Sequence, residues 1–166
     1  MRRLNSSMTA AAIIALAVRL AAAAEPVPPA LPPGSPALYV AHDQLAAVLK
    51  AAIAKPADPA FSAIKVTDEY SINEVHRAKD GAAAIHPTWT ELHVILEGSA
   101  NFVTGGKIIP PAGGGLATIE GGISRRVVKG DAILIPPNTP HAYNHIDGLT
   151  YLEVRFISPA AVAAAK

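Results

Sequence analysis

The sequence predicts an all-β domain, a single β-barrel preceded by one short amphipathic helix, and two observations support this prediction. Beyond Pro59, short apolar or β-branched runs alternate with turns rich in glycine, proline and aspartate, at a spacing typical of a sandwich or barrel. Ahead of Pro59, apolar side chains recur at three- and four-residue steps, which indicates a helix. With 166 residues, the chain can bury one substantial hydrophobic core.

The helix is expected over residues 39–54, where Leu45 and Leu49 are among the apolar residues of one face. Asp43 is a possible N-terminal cap of this helix. The helical pattern ends at Pro56, because proline cannot continue a helix.

The strands are expected where apolar runs are bounded by turn signals such as Asp80-Gly81, Lys129-Gly130-Asp131 and Asp147-Gly148. No internal repeat is visible in this part of the sequence. The candidate strands are residues 63–66, 70–78, 83–86, 91–97, 99–104, 122–128, 132–135, 141–145 and 150–158.

Composition excludes several classes of protein. Hydrophobic residues make up 51% of the chain and charged residues 16%, which is unlike a disordered protein. The formal net charge is +1 and no block of lysine or arginine is present, so we expect no nucleic-acid partner. The absence of cysteine excludes both a disulfide scaffold and a thiol nucleophile.

The first 24 residues resemble a secretory signal. Arg2 and Arg3 form a basic start, an apolar run follows over 10–18, and small residues end at Ala24, near which we expect cleavage. The protein is then secreted or periplasmic, without a membrane span in the mature form, because the apolar run is too short to cross a bilayer. Arg19 interrupts the apolar region, so a buried or membrane-peripheral helix is the alternative.

The chain can be divided by composition. A leader with six prolines over residues 25–36 favours an extended spacer. The predicted division is a signal segment over 1–24, a Pro-rich leader over 25–37, a helical lead-in over 38–58, the barrel over 59–158 and a tail over 159–166.

Histidines and one glutamate cluster on the predicted strands. Because side chains alternate along a strand, Glu91 and His93 share one face, and His141, Tyr143 and His145 share another. Imidazoles together with a carboxylate are typical ligands of a divalent first-row metal ion. The alternative is that these are ordinary polar residues on half-exposed strands.

These residues lie in two motifs that resemble those of the cupin superfamily, whose members are small jelly-roll barrels. In the first motif, the usual Gly, His-x-His, Glu and Gly are represented by Gly81, His86, Glu91 and Gly98. In the second motif, Asn138 stands at the usual glycine and His145 at the usual asparagine, around Gly130, Pro136 and His141. The resemblance covers about residues 70–157 and implies a metal site built from His86, Glu91 and His141.

The first motif departs from the family pattern, because one histidine of its pair is missing. Either Ala84 or Thr88 stands in its place, depending on the alignment of His86. The missing ligand could be replaced by His93 or by His145, the site could use three ligands, or the barrel could be a metal-free pocket. Iron, manganese, zinc and nickel all remain open as the divalent ion.

Three further residues are candidates for a substrate pocket. Trp89 lies between the motif residues and either covers the pocket mouth or packs on the barrel. Tyr143 shares the face of His141 and is a possible hydrogen-bond donor. Arg155, if it points inward, would bind a substrate carboxylate with two parallel hydrogen bonds.

Two classes of function follow. One is a metal-dependent enzyme, an oxygenase, isomerase or lyase acting on a small oxygenated or carboxylated organic molecule. The other is a non-catalytic periplasmic barrel that binds or senses such a molecule, because one fold supports many functions. We also expect a homodimer, since Leu92, Val94 and Leu96 give the barrel an apolar outer face.

Overall fold

The computed structural model describes residues 29–111 and 113–157. The predicted signal segment and the predicted tail lie outside the described residues. No helix in these two ranges is long and apolar enough to cross a membrane.

Helix α1 covers His42–Ile53 and packs against the first two strands of the sheet. The helix starts two residues earlier than Asp43 would allow as a cap, so the prediction for Asp43 is wrong. Ala41 is the N-terminal cap residue, and its N–H donates a 3.2 Å hydrogen bond to Gln44 Oε1. Asp43 instead lies in the first turn, where its negative charge interacts favourably with the helix dipole.

In the part of the chain that the structure describes, all other regular elements are antiparallel strands, which confirms the predicted fold class. The eight strands are β1 (Ala60–Val66), β2 (Tyr70–Arg77), β3 (Trp89–Thr104), β4 (Lys107–Ile109), β5 (Thr118–Glu120), β6 (Ile123–Val128), β7 (Ala132–Ile135) and β8 (His141–Ile157).

The main sheet is built around the two longest strands, β3 and β8. Its order is β1-β2-β8-β3-β6, and β7 pairs with β3 on the side away from β8. The short strands β4 and β5 form a separate hairpin in the loop between the two predicted motifs, a hairpin that the strand predictions missed.

Two predicted turns lie inside these long strands. Gly98 has a φ of 69° and Gly148 a φ of 54°, and the pairing of β3 with β8 shifts register around them. A side chain on Gly98 would overlap with the backbone oxygens of Asp147 and Gly148. The strands predicted over 91–97 and 99–104 are therefore one bulged strand.

The corresponding segments of β8 are also joined, and the strand predicted over 83–86 is reduced to a single bridge between Ala84 and His141.

Strand alternation creates an interior with an apolar region and a polar end. The polar end contains Glu91, His93 and Glu153, each at most 2% exposed. The buried apolar cluster contains Val75, Ile95, Ala100, Phe102, Val127, Ile135, Tyr143, Leu149 and Tyr151.

Candidate metal centre

The face of β3 that carries Glu91 and His93 points into the barrel. Glu91, His93 and Ile95 are 1%, 2% and 1% exposed, whereas Leu92 and Val94 between them are only half-buried. Because β8 pairs with one edge of β3 and β7 with the other, Glu91 and His93 are carried by a central strand. Such a position holds their backbone rigidly.

Backbone contacts bring the two motifs together. Ala84 and His141 exchange two backbone hydrogen bonds of 2.9 Å, and the N–H of Asn138 donates to the carbonyl of His86 at 2.9 Å. Asn138 has a φ of 59°, the left-handed conformation that the usual glycine of this motif would adopt easily. The turn before β8 therefore places His86 next to His141.

Three side chains converge at this point. His86 Nε2 lies 3.4 Å from Glu91 Oε1, and His141 Nε2 lies 3.2 Å from Glu91 Oε2. Each of the three residues offers one potential ligand atom, and these three atoms all lie within 4.8 Å of one another. The structure thus brings together the three residues predicted as metal ligands.

The protonation of His141 suits a metal ligand. Its Nδ1 lies 3.0 Å from the carbonyl oxygen of Thr139, which can only accept, so Nδ1 carries the hydrogen and Nε2 presents a lone pair to Glu91. Burial lowers the pKa of His141, which favours the neutral ring that metal coordination requires.

His93 lies beside the three ligands but faces a second carboxylate as well. Its Nε2 is 3.6 Å from both Glu91 Oε2 and Glu153 Oε2. Its Nδ1 is 2.9 Å from the hydroxyl oxygen of Tyr143, and this hydrogen bond fixes the orientation of the imidazole ring. Its imidazole is therefore directed between the two carboxylates, adjacent to the group formed by His86, Glu91 and His141.

The sequence predictions missed Glu153. This carboxylate accepts a 3.1 Å hydrogen bond from Asn73 Nδ2 and a 3.0 Å hydrogen bond from Arg155 Nη2. Burial alone would raise the pKa of Glu153, but hydrogen bonding and charge from His93, Arg155 and Asn73 lower it. Strand alternation carries a signal for this residue, since Glu153 and Arg155 fall on one face of the strand predicted over 150–158.

The donor set fits a cation. Both oxygens of Glu91 and the Nε2 of His93 are buried without a hydrogen-bond partner among the described residues. Arg155 Nε lies 2.7 Å from Glu91 Oε1 as an ion pair, but its N–H is not aligned with that oxygen. With neutral imidazoles, two buried carboxylates and one guanidinium leave a net negative charge, which favours a bound cation.

A cavity of about 310 Å³ adjoins the cluster. Tyr143 and Arg155, two of the predicted pocket residues, line it together with His86, His93 and His141. Burial raises the pKa of Tyr143 above its usual range and that of Tyr151, another lining residue, to about 12. Both phenols therefore stay protonated and can donate hydrogen bonds at neutral pH.

Two predicted site residues lie elsewhere. Trp89 is half-buried where β3 pairs with Ile157, and it is not among the residues that line the cavity. His145 is exposed, has a φ of 49°, and lines a different surface depression. The register shift in β8 near this left-handed residue breaks the alternation that would have placed it beside His141 and Tyr143.

The fold and the His-Glu cluster define a cupin-type barrel. The sequence model of the AraC-like ligand binding domain family matches residues 74–165, more than half of the chain. The chain therefore belongs to the family of AraC-like ligand binding domains. No curated protein matches the chain.

Solved structures with similar folds have low sequence identity. The Cnp3 cupin domain of Schizosaccharomyces pombe is 9% identical, with 63% of this chain and 69% of that chain covered and a TM-score of 0.48. A Klebsiella pneumoniae protein with a double-stranded β-helix domain is 17% identical, with coverages of 64% and 83% and a TM-score of 0.47. KdgF from Halomonas sp. is 14% identical, with coverages of 65% and 87% and a TM-score of 0.47.

Proposed function

We propose that the barrel binds a divalent metal ion through His86, Glu91 and His141, and a small oxygenated or carboxylated organic molecule in the adjoining cavity. One observation carries this proposal: the carboxylate of Glu91, 1% exposed, faces the Nε2 atoms of three histidines at 3.2–3.6 Å. Buried acceptors without donors are unfavourable unless a cation or proton joins them.

A bound iron, manganese, zinc or nickel ion would supply Lewis acidity, polarising an oxygen of the organic ligand. The residues of the chain have separate roles around it. Glu91 balances the positive charge, and the carbonyl oxygen of Thr139 orients His141 by accepting a hydrogen bond from its Nδ1. Arg155 bridges Glu91 and Glu153 and so reduces the repulsion between the two carboxylates. Tyr143 stays protonated and orients His93.

Zinc titration of two histidine variants tests the metal site. His141→Ala removes a ligand, so we expect zinc affinity to fall at least about tenfold, as outer-shell changes alone cost 10–100-fold. His145→Asn is the matched control, because His145 lies on the same strand, is exposed, and has a left-handed φ that asparagine tolerates. Equal zinc affinities in both variants, measured by calorimetry, would refute the assignment of His141.

A non-catalytic binding or sensing barrel is the second candidate. Ala84, which lines the cavity and bridges to His141, is one of the two positions, with Thr88, at which the resemblance to cupins expects a further histidine. The family is also described by ligand binding rather than by a reaction. Fewer ligands weaken a metal site, and a binding barrel needs none.

Turnover separates the enzyme, an oxygenase, isomerase or lyase, from the binding barrel. Small carboxylic, phenolic and hydroxylated compounds are screened with protein loaded with iron, manganese, zinc or nickel, following product formation and dioxygen uptake. For an enzyme, Glu91→Gln abolishes metal binding and turnover together, because it removes the charge that balances the cation. Ligand binding without metal-dependent turnover, retained in Glu91→Gln, supports the binding barrel.

Export and dimerisation belong to the same proposal. We propose cleavage near Ala24 and a secreted or periplasmic mature protein, which N-terminal sequencing of the expressed full chain tests.

A homodimer is expected because large apolar side chains on the outer strands are exposed, among them Ile123 and Leu134 at 61% and 63%. Sedimentation showing only monomers at micromolar concentration contradicts the dimer.

A further inference from the structure

The cavity is lined by two arginines with different surroundings. Arg155 is engaged by the protein, since its Nε lies 2.7 Å from Glu91 Oε1 and its Nη2 3.0 Å from Glu153 Oε2. Arg77, at the end of β2, lines the same cavity, but within the described ranges no carboxylate oxygen lies within 4.0 Å of its guanidinium. The role of carboxylate binding that the sequence suggested for Arg155 is therefore better suited to Arg77.

Two tyrosines hold Arg77 in the cavity wall. Its Nε donates a 3.0 Å hydrogen bond to the hydroxyl of Tyr151. Its Cζ lies 5.9 Å from the ring centre of Tyr143 and 6.0 Å from that of Tyr151, within the range of cation–π contacts. These contacts use Nε and the flat face of the guanidinium, and neither terminal Nη group has a hydrogen-bond partner or a carboxylate partner among the described residues.

Gly81 gives the guanidinium its space. A Cβ atom at this position would lie 2.6 Å from Arg77 Nη1, closer than non-bonded atoms allow. The backbone N–H of Gly81 donates a 3.2 Å hydrogen bond to the carbonyl of Tyr143, which fixes this segment against the cavity wall. The first glycine of the cupin-like motif thus makes room for the charged group.

Arg77 lies away from the proposed metal centre. In the pairing of β2 with β8, Arg77 is opposite Leu149 and Asn73 is opposite Glu153. These two positions on β8 are four residues apart, which is roughly 13 Å of strand. The rings of Tyr143 and Tyr151 line the cavity along this interval, since each contacts His93 as well as Arg77.

We propose that Arg77 binds the carboxylate of a small organic anion whose other end reaches the metal centre, so that the cavity selects molecules with two oxygen-rich ends. This inference rests on the proposed function only for the end of the ligand that reaches the metal centre. A guanidinium binds a carboxylate with two parallel, charge-assisted hydrogen bonds, and a partly buried cation without a partner gains most from such a ligand. A cavity of about 310 Å³ suits a short dicarboxylate.

The test compares acids with esters. Malonate, succinate, glutarate and adipate, and the monomethyl ester of each, are titrated calorimetrically into zinc-loaded protein. We expect at least one dicarboxylate to bind about tenfold or more tightly than its ester, because the ester lacks the charged end. Arg77→Gln should abolish this preference, and Arg77→Lys should retain part of it, since lysine keeps the charge but not the paired donors. Arg125→Gln, which changes an exposed arginine of β6, should leave it unchanged.

Two results overturn the inference: no acid-over-ester preference in the unmodified protein, or a preference that persists in Arg77→Gln. Zinc affinity is measured first in each protein and should not differ between Arg77→Gln and the unmodified chain. Absence of zinc binding contradicts the proposed function alone, and the acid-over-ester ratio in zinc-free protein then decides the role of Arg77. If Arg77→Gln does not fold, Arg77→Lys decides, and an unchanged ratio in that variant contradicts the inference.

Discussion

The barrel cavity and the cleft beneath helix α1 differ in both size and chemistry. The cleft lies between α1 and the outer face of the sheet and, at about 630 Å³, has twice the volume of the barrel cavity at about 310 Å³. Its lining is mainly aliphatic, whereas the barrel cavity is lined by histidines, arginines, tyrosines and a glutamate. The aliphatic residues of the cleft are Leu45, Leu49, Ile53, Ile64, Leu96 and Leu152.

The pKa of one glutamate in each region reflects the difference in surroundings. In the cleft, burial and the nearby charge of Glu97 raise the pKa of Glu74, an effect that His42 only partly offsets. In the barrel, burial of Glu153 is outweighed by its polar partners, and its pKa is lowered. Volume therefore does not locate the proposed site in this protein. Buried carboxylates that face histidines do.

Truncating one aliphatic side chain in each region should give the largest difference in the free energy of unfolding. Ile95→Ala should lower the free energy of unfolding by about 3–4 kcal/mol, because Ile95 is fully packed inside the barrel. Leu49→Ala should cost only about 1 kcal/mol, since Leu49 is half-buried beside an existing cleft. Urea unfolding measures both, and equal losses would show that the helix is packed as tightly as the barrel.

Removing the arginine that bridges the carboxylates should have the next largest effect. Arg155→Met leaves Glu91 and Glu153 buried without their counter-charge, which should cost about 3 kcal/mol, the lower end for a broken buried pair because the arginine is partly exposed. Zinc should stabilise this variant more than the unmodified protein, since the ion supplies the missing charge.

Arg125→Met is the matched control for Arg155→Met, because Arg125 is exposed on β6 and should contribute less than about 0.5 kcal/mol. The comparison fails if the two variants unfold at the same urea concentration and respond equally to zinc.

The smallest expected effect is a pH dependence in the cleft. Because the pKa of Glu74 is raised in the folded state, its ionisation opposes folding above that pKa, and the penalty disappears as the pH falls toward the ordinary value of 4.5. Glu74→Gln should therefore raise the melting temperature slightly at pH 7–8, and the gain should shrink in acid. Glu120→Gln, at an exposed glutamate, should show no such trend. A gain for Glu74→Gln that grows in acid would contradict this assignment.

Local patterns were sufficient to predict the all-β class, the helix and the inward face of β3. Alternation holds over a few residues, so Glu91 and His93 could be placed on one face without the partner strands. The same rule was wrong at His145, because a left-handed residue and a register shift interrupt the alternation in β8. A sequence pattern does not reveal a bulge whose cause is a close approach between Gly98 and a different strand.

The partners of the site are set by pairing across the sheet, which no local pattern gives. Asn73 and Glu153 are 80 residues apart in the chain, and they meet only because β2 pairs with β8. Likewise, neither segment alone shows that Arg155 contacts two carboxylates while Arg77 contacts none among the described residues.

The position of a bound ion tests the central claim most directly. Crystals of the full chain grown with zinc would be measured on both sides of the zinc absorption edge, so that anomalous scattering locates the ion. We predict one ion at about 2.0–2.2 Å from the Nε2 atoms of His86 and His141 and from a carboxylate oxygen of Glu91. An ion held by other residues, or no anomalous peak beside Glu91 at saturating zinc, would contradict the metal centre.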